Sequence, residues 1–158
     1  MIKLLIKTIS EKKLVGMSLR MSLAENKTFS LWQSFMPRRK EITNALNSNL
    51  ISMQVYDIAL EAGNMQQVFD KWASIEVADF DTIPNGMKIF TLKGGLYAVF
   101  HYKGLSTDTS IFRYIYGTWL PNSIYELDHR PYFEVLAEKY KNNDPNSEEE
   151  IWVPVKLK

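Results

Sequence analysis

The groups in this sequence with the most chemistry to offer are carboxylates set among aromatic rings. Glu134 closes the step Arg130-Pro131-Tyr132-Phe133-Glu134, and Glu150 follows Glu148 and Glu149 and stands two residues before Trp152. A carboxylate in a partly apolar cleft is costly to keep ionised without a partner, so its pKa is expected to rise. A ligand cation repays that cost, and each Trp or Tyr face adds about 0.5–2 kcal/mol of cation–π attraction. Beside a water molecule the same group is a general base. Alternate residues of a strand share a face, which groups Tyr132, Glu134 and Leu136, and likewise Glu150 with Trp152. Periodicity alone, however, leaves Glu134 a solvent-facing strand residue and Glu150 part of a solvated acidic turn.

Other chemistries have little support. With no cysteine, a thiolate metal site, a disulfide scaffold and a thiol nucleophile are excluded. The two histidines, His101 and His129, lack ligand spacing, so neither a metal nor a cofactor is expected. The chain has no phosphate loop, dinucleotide fingerprint or nucleophile elbow. Gly94-Gly95-Leu96-Tyr97 is a turn into a strand with no helix behind it to cradle a phosphate. The net charge of +1 gives no general attraction to nucleic acid, and Arg38, Arg39 and Lys40 read as a solvated helix end. No run is apolar for long enough to span a membrane, and the short apolar start lacks a cleavage pattern, so the cytoplasm is the expected location.

The elements that must position these residues form a repeating order. A length of 158 residues, 46% of them hydrophobic, suits one domain with one core, taken as residues 1–158. Ile2–Ile9 and Leu14–Met21 read as strands. A helical stripe of Phe29, Trp32, Phe35 and Met36 follows, with Asn26 as a cap and Pro37 as a kink or stop near its end. Strands are expected around 51–55 and 72–77. The second half repeats the plan: strands near 87–92 and 96–102, a helix with Phe112, Ile115, Tyr116 and Trp119 ending at Pro121, then strands at 132–137 and 151–157. This is an α+β fold of two β-α-β-β repeats, about 1–85 and 86–158. Pseudo-twofold symmetry would give an antiparallel sheet with the helices on one side and a central cleft.

Four further elements resemble the GyrI-like, transcription-activator effector-binding family. They are Gly95–Gly104, the helix end Tyr114-Ile115-Tyr116-Gly117-Thr118-Trp119-Leu120-Pro121, the step Arg130–Val135, and Glu150-Ile151-Trp152-Val153-Pro154-Val155-Lys156. They occur in family order over roughly residues 90–158. The first half is similar mainly in its β-α-β-β order and in Lys71-Trp72-Ala73. The resemblance implies a small-molecule cleft with Glu134 facing the ligand. Trp119, Tyr116, Tyr97, Trp152 and Trp72 are then candidate wall residues, and Glu150 is a second candidate charge. The family also supplies the sensing half of AraC-type and MerR-type regulators. This chain has no room for their helix-turn-helix domain, so direct DNA binding is not implied.

Three functions are compatible with this reading. The leading one is binding or sequestration of small amphipathic, cationic or aromatic compounds, as in multidrug binding. The second, implied by the resemblance, is hydrolysis of strained, cyclopropane-type electrophiles with Glu134 as the catalytic base. The third is interaction with a protein partner, such as gyrase inhibition, for which the residues themselves offer no support.

Overall fold

The computed structural model describes residues 3–158; Met1 and Ile2, where the first expected run begins, lie outside the described residues. Nine strands form in chain order: β1 (Lys3–Ile9), β2 (Lys12–Ser22), β3 (Leu50–Val55), β4 (Val68–Val77), β5 (Lys88–Leu92), β6 (Gly95–Lys103), β7 (Tyr125–Leu127), β8 (Tyr132–Leu136) and β9 (Glu148–Leu157). Helix α1 (Thr28–Phe35) continues into a 3-10 stretch, Met36–Glu41. Helix α2 (Ser110–Tyr114) runs through a wide π-helical turn, Ile115–Trp119, into a last turn, α3 (Leu120–Asn122).

The sheet order is β1-β6-β9-β8-β3-β4-β2-β5, all antiparallel. Read from either end this order is the same once each strand is exchanged with its counterpart: β1 with β5, β6 with β2, β9 with β4 and β8 with β3. The pseudo-twofold axis therefore passes between β3 and β8. Even the appended strand has an echo, since β7 pairs the end of β9 while Ala45 bridges Val77 at the end of β4.

Strand periodicity assigns the two faces. One carries Leu14, Ile51, Met53, Trp72, Leu92, Tyr97, Val99, Phe133 and Trp152, a continuous core contributed by both halves. The other carries both helices. On that face α1 packs Leu31 and Phe35 against Val15, Ala73, Ile75 and Val77, and α2 packs Ile111 and Ile115 against Ala98, Phe100, Ile151 and Val153. Each helix packs mainly on the outer strands of its own half, and the central pair β3 and β8 lies between them, reached only at its margins.

The hairpin connections close the ends of this sheet. β1 and β2 are neighbours in sequence but pair with β6 and β5, and β5 and β6 do the converse. The two short connectors meet where Gly94 lies against Ile9–Glu11. A Cβ on Gly94 would stand 2.5 Å from the Ile9 carbonyl oxygen and 3.1 Å from the Glu11 nitrogen. Both obstacles are backbone, so only glycine fits. Gly95 adopts φ 145, and its open face receives the Arg130 guanidinium.

Helix details differ from the sequence expectation. Phe29, placed in the buried stripe, is 77% exposed, because the inward stripe runs through Leu31 and Phe35 and Phe29 falls on the far side. The Asn26 carboxamide accepts the Thr28 N–H in a local turn, one residue outside the cap position. At Pro37 the α-helix gives way to the 3-10 stretch, which begins at Met36; the proline sits in its first turn, where no N–H is needed. Arg38 and Arg39 are spent locally, on Glu41 and on the Asn85 and Ser48 carbonyls.

Gly94→Ala is expected to destabilise the fold by about 1–3 kcal/mol, the usual cost of forcing atoms into filled space. Gly117→Ala, where nothing lies within 4 Å, should be neutral or stabilising by up to about 1 kcal/mol. Urea unfolding of the two variants beside the wild type checks the contrast.

Candidate functional site

The site is positioned through the start of β8. The Arg130 guanidinium donates to Asp128 Oδ2 at 2.7 Å and to the Leu96 and Val155 carbonyls at 2.5 and 3.2 Å. It also lies 4.6 Å from the centre of the Tyr97 ring, whose hydroxyl donates to the Pro131 carbonyl at 2.8 Å. Burial pushes the Tyr97 hydroxyl up to about 12, so it remains a donor. The Asp128 carboxyl is held below its ordinary range by Arg130. This clamp fixes the phase of β8: Phe133 and Val135 enter the common core, and Tyr132, Glu134 and Leu136 turn toward the helices.

Glu134 is half-buried on the floor between α1 and α2, paired with Ser52 of β3 and Ile151 of β9. Two other ionisable groups share its face. Lys71 comes from β4, in phase with Ala73 and Ile75. It is 6% exposed, and its ammonium donates to Gln54 Oε1 at 3.0 Å. Gln54 in turn donates to the Tyr56 hydroxyl at 2.7 Å. Glu149 comes from β9, in phase with Ile151 and Val153. Among the described residues no ion pair within 4.0 Å involves Lys71, Glu134 or Glu149. Burial lowers the Lys71 pKa while Glu134 and Glu149 pull it back up. Burial, and then the charge of Glu134, push Glu149 up to about 8, with Lys71 opposing. The rise expected of a cleft carboxyl thus falls on Glu149.

Tyrosines form the walls. Tyr116, Tyr132, Tyr56 and Tyr140 all have hydroxyls raised mainly by burial, and Glu134 adds to this at Tyr116, Tyr132 and Tyr140. They stay neutral across the physiological range, offering ring faces and hydrogen bonds but no charge. Tyr116 owes its place to the π-helical turn, where one extra residue per turn rotates the side chains that follow. Tyr56, Tyr116 and Tyr132 also line a cavity of about 240 Å³ together with Leu127, Asp128, His129, Arg130 and Lys156. Glu134 and Glu149 are neighbours of these tyrosines, and neither they nor Lys71 are part of that lining. His129 Nε2 lies 3.0 Å from the Tyr56 carbonyl oxygen, tying the segment after β3 to the segment before β8. A broader hollow of about 380 Å³ beside Lys93–Leu96 is open surface; Asp128 and Arg130, which pair at 2.7 Å, border both it and the tyrosine-lined cavity. Among the described residues no group of three or more His, Asp or Glu is placed to hold a metal ion.

Of the residues singled out in the sequence, the structure brings Glu134 and Tyr116 together. Tyr97, Trp152 and Trp72 lie on the opposite face of the sheet, at most 7% exposed. There Trp152 stacks on Phe133 at 5.1 Å and Trp72 packs on Phe90 at 5.4 Å. Glu150 is on that face too, accepting the Trp152 indole N–H at 3.3 Å. Trp119 is on the helix side but packs away from Glu134, edge-on to Phe100 at 5.1 Å and stacked over Tyr125. Lys71 and Glu149 were missed as site residues. The alternation through Ile151, Val153 and Val155 was the available signal for Glu149, because it puts Glu149 in phase with the apolar helix side of β9.

A symmetric antiparallel sheet with two helices on one face and a tyrosine-lined cavity beside them is the architecture of an effector-binding domain. The chain belongs to the integron-associated effector binding proteins, of GyrI-like type, whose family model matches residues 5–155. It is 28% identical over 143 residues to the transcriptional regulator BrlR of Pseudomonas aeruginosa, covering 89% of this chain and 51% of that protein. The chain therefore spans about half the length of this relative. Its fold is shared with the structure of SAV2435 bound to tetraphenylphosphonium (TM-score 0.71, 15% identity, 98% and 94% of the two chains). It is also shared with the integron cassette protein VCH_CASS2 from the mobile metagenome of Vibrio cholerae (TM-score 0.63, 16% identity, 97% and 95%). No helix among the described residues is long and apolar enough to cross a membrane.

The raised Glu149 carboxyl has a consequence for stability. Between its ordinary value of 4.5 and about 8 the folded chain holds a proton that the unfolded chain has released. This contribution is present at low pH and is lost as pH rises through 8. Glu149→Gln removes it. The melting temperature of the variant relative to wild type is therefore expected to climb between pH 5 and pH 9, by at least about 2–4 °C, the effect of about 1 kcal/mol in a chain of this size. Thermal unfolding at the two pH values checks the sign.

Proposed function

We propose that the chain binds small amphipathic cations in the cleft between its helices, with Glu134 as the counter-charge and Tyr56, Tyr116 and Tyr132 as the walls. The observation that carries this reading is the floor itself: two carboxylates and one buried lysine on a single face, under tyrosine rings. Each ionised carboxylate in such a place is poorly solvated, so a lipophilic cation is the partner that recovers most free energy. Ring faces add attraction without demanding a fixed hydrogen-bond pattern, which suits ligands of varied shape. The tetraphenylphosphonium bound by SAV2435 is a permanent, flat-faced cation of this class. The Pro131-Tyr132-Phe133-Glu134 step, resembling the family's ligand-facing strand, supports the same assignment.

Calorimetric titration with tetraphenylphosphonium tests the reading. Glu134→Gln is expected to weaken binding by about tenfold, near 1.4 kcal/mol. Because losing Glu134 eases ionisation of Glu149, the double change Glu134→Gln, Glu149→Gln is expected to cost more. It should also erase the preference over neutral triphenylphosphine oxide. Unchanged affinity in both variants would overturn the assignment.

A further inference from the structure

Lys71 distinguishes this cleft from a simple acidic one. Its ammonium is buried on the floor, bonded to the neutral Gln54 carboxamide, with two carboxylates on the same face and, among the described residues, none within ion-pair distance. Register explains how the three share one field. Lys71 is paired with Gln54, Gln54 with Tyr132, and Ser52 with Glu134, so the lysine reaches toward β8 across a single intervening strand. Glu149 lies one strand further, in phase with Ile151, the partner of Glu134. With both carboxyls ionised and the lysine charged, the floor carries a net charge of −1 in a partly desolvated place. Buried net charge is expensive, and the cheapest relief is to keep one proton on a carboxyl.

We propose that uptake of a monovalent cation in this cleft expels one proton from the Lys71, Glu134 and Glu149 cluster, making ligand binding proton-coupled. This rests on the cation-binding reading above. The balance is simple. The Glu149 carboxyl releases H⁺ to solvent and becomes a carboxylate, the ligand brings one positive charge, and no covalent bond to the ligand forms. The net charge of the floor is therefore the same before and after binding. Burial and the Glu134 charge already raise Glu149 to about 8, so at neutral pH the proton is present to be released.

Other groups facing the cluster do not supply that proton. Tyr132 on β8, Tyr116 on the π-helical turn, Tyr102 on β6 and Tyr140 after β8 are all raised above the ordinary tyrosine value. Gln54 and Ser52 of β3 do not titrate. His101 is bonded to Glu148 at 2.7 Å, and both belong to the other face of the β6–β9 pair, out of phase with Glu149.

The experiment is calorimetric titration with tetraphenylphosphonium, which has no proton of its own, in two buffers of different ionisation heat. A carboxyl titrating near 8 should release about 0.9 proton per ligand at pH 7 and about 0.1 at pH 9. Affinity should rise nearly tenfold from pH 6 to pH 7 and level off above pH 8. Glu149→Gln should flatten this rise and bring the release at pH 7 close to zero, which also separates Glu149 from His101. Lys71→Met, which removes the competing internal cation, should tighten binding above pH 8. Carbon-13 titration of the glutamate carboxyls without ligand should show one signal moving near pH 8 that is missing in Glu149→Gln. Release near zero from the wild type with ligand bound, or undiminished release from Glu149→Gln, would overturn the coupling and leave the binding reading standing. Absence of tetraphenylphosphonium binding at every pH would overturn both.

Discussion

The pairing of β3 with β8 is the constraint on which the molecule depends. It joins the two halves across the pseudo-twofold axis and sets Ser52 opposite Glu134. Each half brings one short helix, which packs mainly on the outer strands of its own half and reaches the central pair only at its margins, at Tyr132 from α2 and Leu50 from α1. The middle of the sheet is therefore well covered on the core face and less covered by helix on the other. Apolar residues fill the covered side at this seam, namely Ile51, Met53, Phe133 and Val135. The side between the helices carries Ser52, Gln54, Tyr132 and Glu134, of which Gln54 and Glu134 are part-exposed and Ser52 and Tyr132 are buried. The cleft is the less covered middle of a symmetric sheet, and its polarity follows from strand alternation.

Charge on that floor is arranged for adjustment more than for rigidity. A tight buried ion pair would hold its partners in one geometry and compete strongly with any ligand. Here Lys71 is satisfied by an amide, and the carboxylates act on it at longer range. Burial, and then the charge of Glu134, raise Glu149. The tyrosines contribute no charge of their own; charge at the cleft comes from these three groups and, at the end of the cavity, from Asp128, Arg130 and Lys156.

Much of the architecture was legible in the residues. Alternating apolar positions located most strands, and the repeated order of strands and helix marked the duplication that the sheet order displays. Glu134 was legible only through the resemblance of its Pro-Tyr-Phe-Glu step, since periodicity cannot say which face of a strand meets a cleft. The remaining site residues show why. Glu150 and Trp152 were grouped correctly with each other, yet the β8–β9 register places Glu134 opposite Ile151, so the neighbouring Glu149 shares its face instead. Tyr97 and Trp72 have the right chemistry for a wall but the wrong phase, and they serve the shared core. Lys71 was hidden because a lysine inside a strand ordinarily faces solvent. Its burial comes from a tertiary arrangement, two strands away from Glu134, that no local pattern encodes.

The most direct measurement of the central claim is a crystal structure of the chain grown with tetraphenylphosphonium. The cation is expected between α1 and α2, with its phenyl rings against Tyr56, Tyr116 or Tyr132 and its phosphorus nearer to Glu134 and Glu149 than to any other carboxylate. A cation seated on the core face, beside Glu150 and Trp152, or in the hollow beside Gly95 and Arg130 would contradict that claim.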